Sequence, residues 1–180
     1  MNKNYFFIIL VLFLLVSCNK KGDEKVNDTG KKRDFAWRDD ITMSDIPDIP
    51  IKGYLDGKEV QFAYINFEKW RGPNDNVINF SQVKPSQNCG FIEGFSGFTL
   101  INKGAVINKG EWVKSKFADD SKTYQVFFKS GDRKSSAGWN CAFEIENLDE
   151  KSVTGKIAVF FNDEKHSWLA GKFEALVCNN

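Results

Sequence analysis

Residues 153–178 read VTGKIAVFFNDEKHSWLAGKFEALVC. Two runs rich in aliphatic and aromatic residues flank the polar stretch Asn162-Asp163-Glu164-Lys165-His166. Runs of this kind, bounded by a short polar connection, read as paired antiparallel strands. The pattern predicts strands over Ser152–Phe161 and Ser167–Val177. Immediately upstream, Gly138–Asn147 is a third such run, connected through Leu148-Asp149-Glu150-Lys151. Residues 138–177 are therefore expected to form an antiparallel meander.

The same grammar extends toward the N-terminus. Ile51–Leu55 and Lys58–Phe67 flank Asp56-Gly57, a type I′ hairpin signal. Asn76–Val83, Phe91–Ile101 and Thr123–Lys129 read as further strands, and no window keeps a 3.6-residue apolar period. Ile-Asn-Lys-Gly occurs at 101–104 and again at 107–110. Two copies are too few for a β-helix, and the residues suit turns. About eight short strands over residues 51–180 predict an all-β fold. The expected form is an antiparallel β-sandwich, with a β-barrel as the alternative.

The chain begins differently. Lys3 precedes the apolar run Tyr5–Val16, which is twelve residues long. A membrane-spanning helix needs about 20, whereas a signal-peptide core needs roughly 7–15. The run closes on Leu15-Val16-Ser17-Cys18, which resembles a bacterial lipobox. On that reading residues 1–17 are a lipoprotein signal peptide and Cys18 carries the lipid. Stable anchoring takes more than one acyl chain, as such processed lipoproteins have. Asn19 stands where enteric bacteria place an aspartate as the inner-membrane retention signal, which points to the outer membrane, with its face left open. Residues 19–34 have the polar composition of a disordered tether. Phe35, Trp37 and Ile41 are expected to pack on the domain edge from a linker that runs to residue 50.

Removing residues 1–17 leaves 180 − 17 = 163 residues and takes away Lys3, so 24 basic residues face 24 acidic ones. A neutral chain lacks the basic stripe that nucleic acid requires. Four cysteines become three: Cys89, Cys141 and Cys178. An envelope location permits a disulfide, and an odd count leaves one thiol over. Cys141 shares a strand face with Trp139, Phe143 and Ile145, the setting of a buried free cysteine. Cys89 in its loop and Cys178 near the end are then expected to pair.

GYLDGKEVQF at 53–62 and the quoted C-terminal stretch resemble a group of uncharacterised bacterial lipoproteins. The likeness covers roughly residues 51–178. It implies a small β-sandwich that closes on a cysteine at position 178, and it implies no activity. Cys141 departs from that group's pattern.

Candidate chemistry is sparse. His166 is the only histidine, which rules out multi-histidine metal sites and gives a triad no obvious partners. Gly94-Phe95-Ser96-Gly97-Phe98 misses the nucleophile elbow, which needs glycine where Phe98 stands. Cys141 as nucleophile with His166 as base conflicts with burial of the thiol. The pairs Asp119-Asp120, Asp149-Glu150 and Asp163-Glu164 match glycosidase chemistry in residue type, but all fall in predicted turns. Gly72–Asn76 offers oxygen atoms without the spacing of a calcium loop. Neither cofactor nor metal is expected. The aromatic residues remain: Trp70, Trp112, Trp139 and Trp168 lie in or beside strands. Large aromatics anchor cores, yet Trp168 shares a face with Lys172 and Glu174, and Trp112 lies among Glu111, Val113 and Lys114. These two are the candidates for an exposed binding surface. The overall expectation is a lipid-anchored, non-enzymatic envelope module for a protein or glycan ligand. A hydrolase of envelope polymers and a structural component are the alternatives.

Overall fold

The computed structural model of the chain describes residues 35–178 apart from 70, 71, 73, 106 and 136. The expected signal peptide, lipid-bearing Cys18 and the tether to residue 34 lie outside the described residues, as does Trp70. The strands are β1 Lys52–Leu55, β2 Lys58–Val60, β3 Tyr64–Lys69, β4 Asn76–Ser81 and β5 Gly97–Asn102. They continue as β6 Gly110–Lys114, β7 Tyr124–Ser130, β8 Arg133–Lys134, β9 Trp139–Leu148, β10 Ser152–Phe161 and β11 Trp168–Cys178. The all-β expectation holds, and β9, β10 and β11 form the antiparallel meander. The β1–β2 hairpin turns at Asp56 and Gly57, both with positive φ (52° and 85°), as a type I′ turn requires.

The expected pair of stacked sheets is corrected to one continuous sheet. Its order is β6-β9-β10-β11-β3-β4-β5-β7-β8, with β1 added to β11 and β2 to β1. The joint is a parallel pairing, Leu176–Cys178 of β11 against Asn66–Glu68 of β3. It splices the C-terminal meander to the middle of the chain. The pairings among the described residues leave β6 and β8 as the ends of the order, so the barrel alternative is a strongly curled half-barrel. Two other boundaries move. The expected strand 58–67 breaks at Gln61–Ala63. The expected strand 91–101 starts only at Gly97, whose φ is 148° and where a Cβ would lie 1.9 Å from the Phe80 carbonyl oxygen. Strands β6 and β8 were not foreseen.

Curling brings the two halves of the sheet face to face. Phe80 of β4 meets Phe173 of β11 with ring centroids 5.3 Å apart, and Phe128 of β7 meets Phe161 of β10 at 5.0 Å. Inward positions alternate along each strand, as in Ile78 and Phe80, Phe98 and Leu100, or Ile157, Val159 and Phe161, all at most 1% exposed. Each such side chain contributes about 1.5–3 kcal/mol on burial.

The outer face of the sheet is covered in two places. Over β9, β10 and β11 lies the segment 35–50, in one compact unit with the strands. Ile41, 1% exposed, and Ile46 pack on Ala142, Ala158, Phe160 and Ala170. Small residues on three strands make the shallow bed that this strap fills. Trp37 donates Nε1–H to the Phe161 carbonyl at 2.8 Å. The Ile41 amide donates to Ser115 O, and Ile51 and Ile49 exchange bonds with Lys172. Aromatic residues of this segment thus pack on the domain, as expected. Lys114, 6% exposed, secures the same end: its Nζ donates to the carbonyls of Lys116, Phe117 and Trp139.

Candidate functional site

The second covered area lies over β3, β4, β5 and β7, and its floor is polar. Along these strands Ile65, Phe67, Ile78, Phe80, Phe98 and Leu100 turn inward. Strand alternation then turns Asn66, Glu68, Asn79 and Thr99 outward. The register lines them up: Asn66 opposes Asn79, Asn79 opposes Thr99, and Thr99 opposes Phe127. This row runs across four neighbouring strands near the middle of the sheet. Thr99 Oγ1–H donates to Asn79 Oδ1 at 3.2 Å. Asn79 Nδ2 donates to Asn66 Oδ1 at 3.3 Å and to Glu68 Oε1 at 3.1 Å.

The polar row is largely shielded from solvent: Asn66 is 2% exposed, Thr99 3% and Asn79 8%. Buried polar groups are costly unless satisfied, so a face needed only for structure is better served by Val or Ile. Here the row floors a cavity of about 470 Å³, within the range that holds small-molecule ligands. Phe91, Ile92 and Phe95 from the loop 82–96 form its wall and roof, and Phe127, Lys129 and Lys134 close the far side. Phe91 is 87% exposed at the mouth.

The loop is pinned at three points. Cys89 is bonded to Cys178, as expected from the sequence. The Cys89 amide donates to the Tyr64 hydroxyl at 2.9 Å, and that hydroxyl also contacts Cys178 Sγ. At the loop's base Gln82 N donates to Ser96 O, and Gln82 Nε2 to Ser96 Oγ. Cys141 is free and buried, also as expected; burial pushes its thiol pKa up.

Charge in the cavity is divided. Desolvation raises the Glu68 carboxyl above its ordinary value, opposed by hydrogen bonds from Asn79 and Asn66. On the other side Lys134 Nζ lies 4.1 Å from the centroid of the Phe127 ring. Lys129 and Lys134 are paired across β7 and β8.

The residues singled out from sequence lie elsewhere. Trp112 is half-buried, its ring 4.7 Å from Tyr124 and 5.6 Å from Phe143. Trp168 is half-buried, 5.1 Å from Phe35 of the strap. Neither ring stands free on the surface. His166 stacks on Trp37 at 4.2 Å, while Cys141 faces the core, so the two are not brought together. The turn acids act as backbone acceptors. Asp149 accepts from the amides of Lys151 and Ser152, which holds its carboxyl below the usual range. Asp163 accepts from Ser167 N and Oγ, and Asp119 from Lys116 N. Asp75 and Asn76 receive the amides of Gly104 and Ile107. Ser96 Oγ is taken up by Gln82 and Lys129. Among the described residues no group of three metal-ligating side chains comes together.

The polar row escaped sequence reasoning because alternation in β3 and β4 marks Asn66, Glu68 and Asn79 only as outward-facing. An asparagine at the centre of a strand flanked by apolar residues was the available signal.

No family model, curated protein or solved structure matches this chain.

Proposed function

We propose that this chain is a bacterial envelope lipoprotein, anchored in the outer membrane by acyl chains on Cys18, whose half-barrel is a non-enzymatic binding module. The single observation that carries the binding role is the satisfied polar row Asn66–Asn79–Thr99, buried beneath a disulfide-pinned aromatic loop yet flooring a cavity. Such a floor offers directional recognition, and the roof offers apolar contact. The Cys89–Cys178 disulfide fits an oxidising compartment. The hydrolase alternative needs carboxylates that converge, and Glu68 is the one carboxylate among the described residues that lines this cavity.

Amide chemical-shift mapping tests the binding role with a panel of oligosaccharides, short peptides and fatty acids. The expected shifts cluster at Asn66, Glu68, Asn79, Thr99 and Phe127. Shifts confined to another face, or none with any probe class, refute it. Palmitate incorporation into wild type and Cys18→Ala tests the anchor: labelling is expected only in wild type, and equal labelling refutes it.

A further inference from the structure

The two sides of the cavity ask for different chemistry from a ligand. On the β3 side the donors are mostly spent. Both Asn79 amide protons and the Thr99 hydroxyl proton are committed within the row. What remains is acceptor capacity on the Glu68 carboxylate and the Thr99 oxygen, with the Asn66 amide beside them. A ligand seated there must bring hydroxyl or N–H donors. On the β8 side the Lys129 and Lys134 ammoniums have no ion-pair partner among the described residues. Two cations at the end of a partly enclosed cavity favour an anionic group. Between the two sides, Phe91, Ile92 and Phe95 offer apolar surface.

Three ligand classes meet some of these demands. An acyl chain with an acidic head satisfies the lysines and the roof, but it leaves the spare acceptor capacity of Glu68 and Thr99 desolvated and unmatched, which costs binding energy. A peptide bound by strand addition needs a free sheet edge. The floor strands β3, β4 and β5 each have neighbours on both sides, so their ladder groups are taken. A sugar ring carries hydroxyl donors on its rim and an apolar C–H face. We infer that the cavity binds a short saccharide bearing a carboxylate, of the uronic- or sialic-acid type. Its ring hydroxyls meet Glu68, Thr99 and Asn66, its ring face lies under Phe91 and Phe95, and its carboxylate points to Lys129 and Lys134. The inference rests on the binding-module reading above.

The test uses the full chain in a detergent without sugar headgroups, titrated calorimetrically and by amide shifts. The probes are trigalacturonate and 3′-sialyllactose, against neutral cellotriose and lactose. Wild type is expected to bind an acidic probe at least about tenfold more tightly than its neutral counterpart. The double variant Lys129→Met/Lys134→Met is expected to lose that preference, binding acidic and neutral probes within about twofold of each other. Asn79→Leu is expected to lose both, and Thr99→Val, a smaller change, serves where Asn79→Leu melts early. Equal affinity of acidic and neutral probes in wild type overturns the carboxylate. If octanoate or a short peptide shifts the groove amides and no saccharide does, the saccharide class is overturned and the binding site stands. If no probe of any class shifts those amides, the binding-module reading falls with it.

Discussion

Removing the disulfide tests how the roof of the cavity is held. Cys89 and Cys178 are separated by 89 positions. The cross-link therefore closes most of the folded unit into one loop in the unfolded chain. The chain-entropy relation gives roughly 15.5 cal/mol/K for a loop of that length, or about 4.6 kcal/mol at 25 °C. A domain of this size shifts by about 2–4 °C in Tm per kcal/mol, so Cys89→Ser/Cys178→Ser is expected to melt roughly 10–18 °C below wild type. The fold itself is expected to survive, because Tyr64, Gln82 and Ser96 still hold the loop base and the β11–β3 pairing is made by backbone. Circular dichroism melts measure the global effect. Hydrogen exchange measures the local one, with amides near Cys89–Phe95 losing protection ahead of β4 and β5. Thiol titration supplies the control: the oxidised Asn19–Asn180 fragment should show no reactive thiol when native and one, Cys141, after denaturation. A Tm loss under about 4 °C, or equal protection of the loop in both proteins, refutes the argument that the disulfide pins the roof.

The remaining expectations concern buried polar groups. Because burial raises the Glu68 carboxyl, the folded state binds its proton more tightly than the unfolded one. Its contribution is complete below the ordinary carboxyl range and is lost as pH rises through the raised value. Glu68→Gln should therefore gain Tm relative to wild type between pH 4.5 and pH 7; a constant difference across that range would contradict this. Lys114→Met strands three carbonyls and should cost about 3 kcal/mol in a urea titration, with a loss below about 1 kcal/mol as the refuting result. Both amide atoms of Asn140 are buried under the strap without a hydrogen-bond partner among the described residues. Asn140→Leu should thus stabilise by about 1–2 kcal/mol, and a destabilised variant would show that the amide is satisfied in solution.

Much of the strand map was legible because its signals are local. Alternation in Trp139–Ile145 assigned Cys141 to the core, and by elimination paired Cys89 with Cys178. Asp56-Gly57 announced its hairpin since few residue pairs accept positive φ twice. Short pieces with no apolar alternation, such as Arg133-Lys134 in β8, carried no such signal. Charged neighbours on the strand make Trp112 and Trp168 candidates for exposure, yet the rings of Tyr124 and Phe35 lie against them.

The sequence by itself determined that the folded part is β-structure and which cysteines pair. These follow from periodicity, composition and parity, which need no knowledge of neighbours. Only the tertiary structure decided that the sheet is single and curled, because the parallel joint of Leu176–Cys178 to Asn66–Glu68 is a contact between segments about a hundred residues apart. It also decided where a ligand can sit. Asn66, Asn79 and Thr99 are ordinary polar residues until cross-strand register aligns them and the loop bearing Phe91 closes over them.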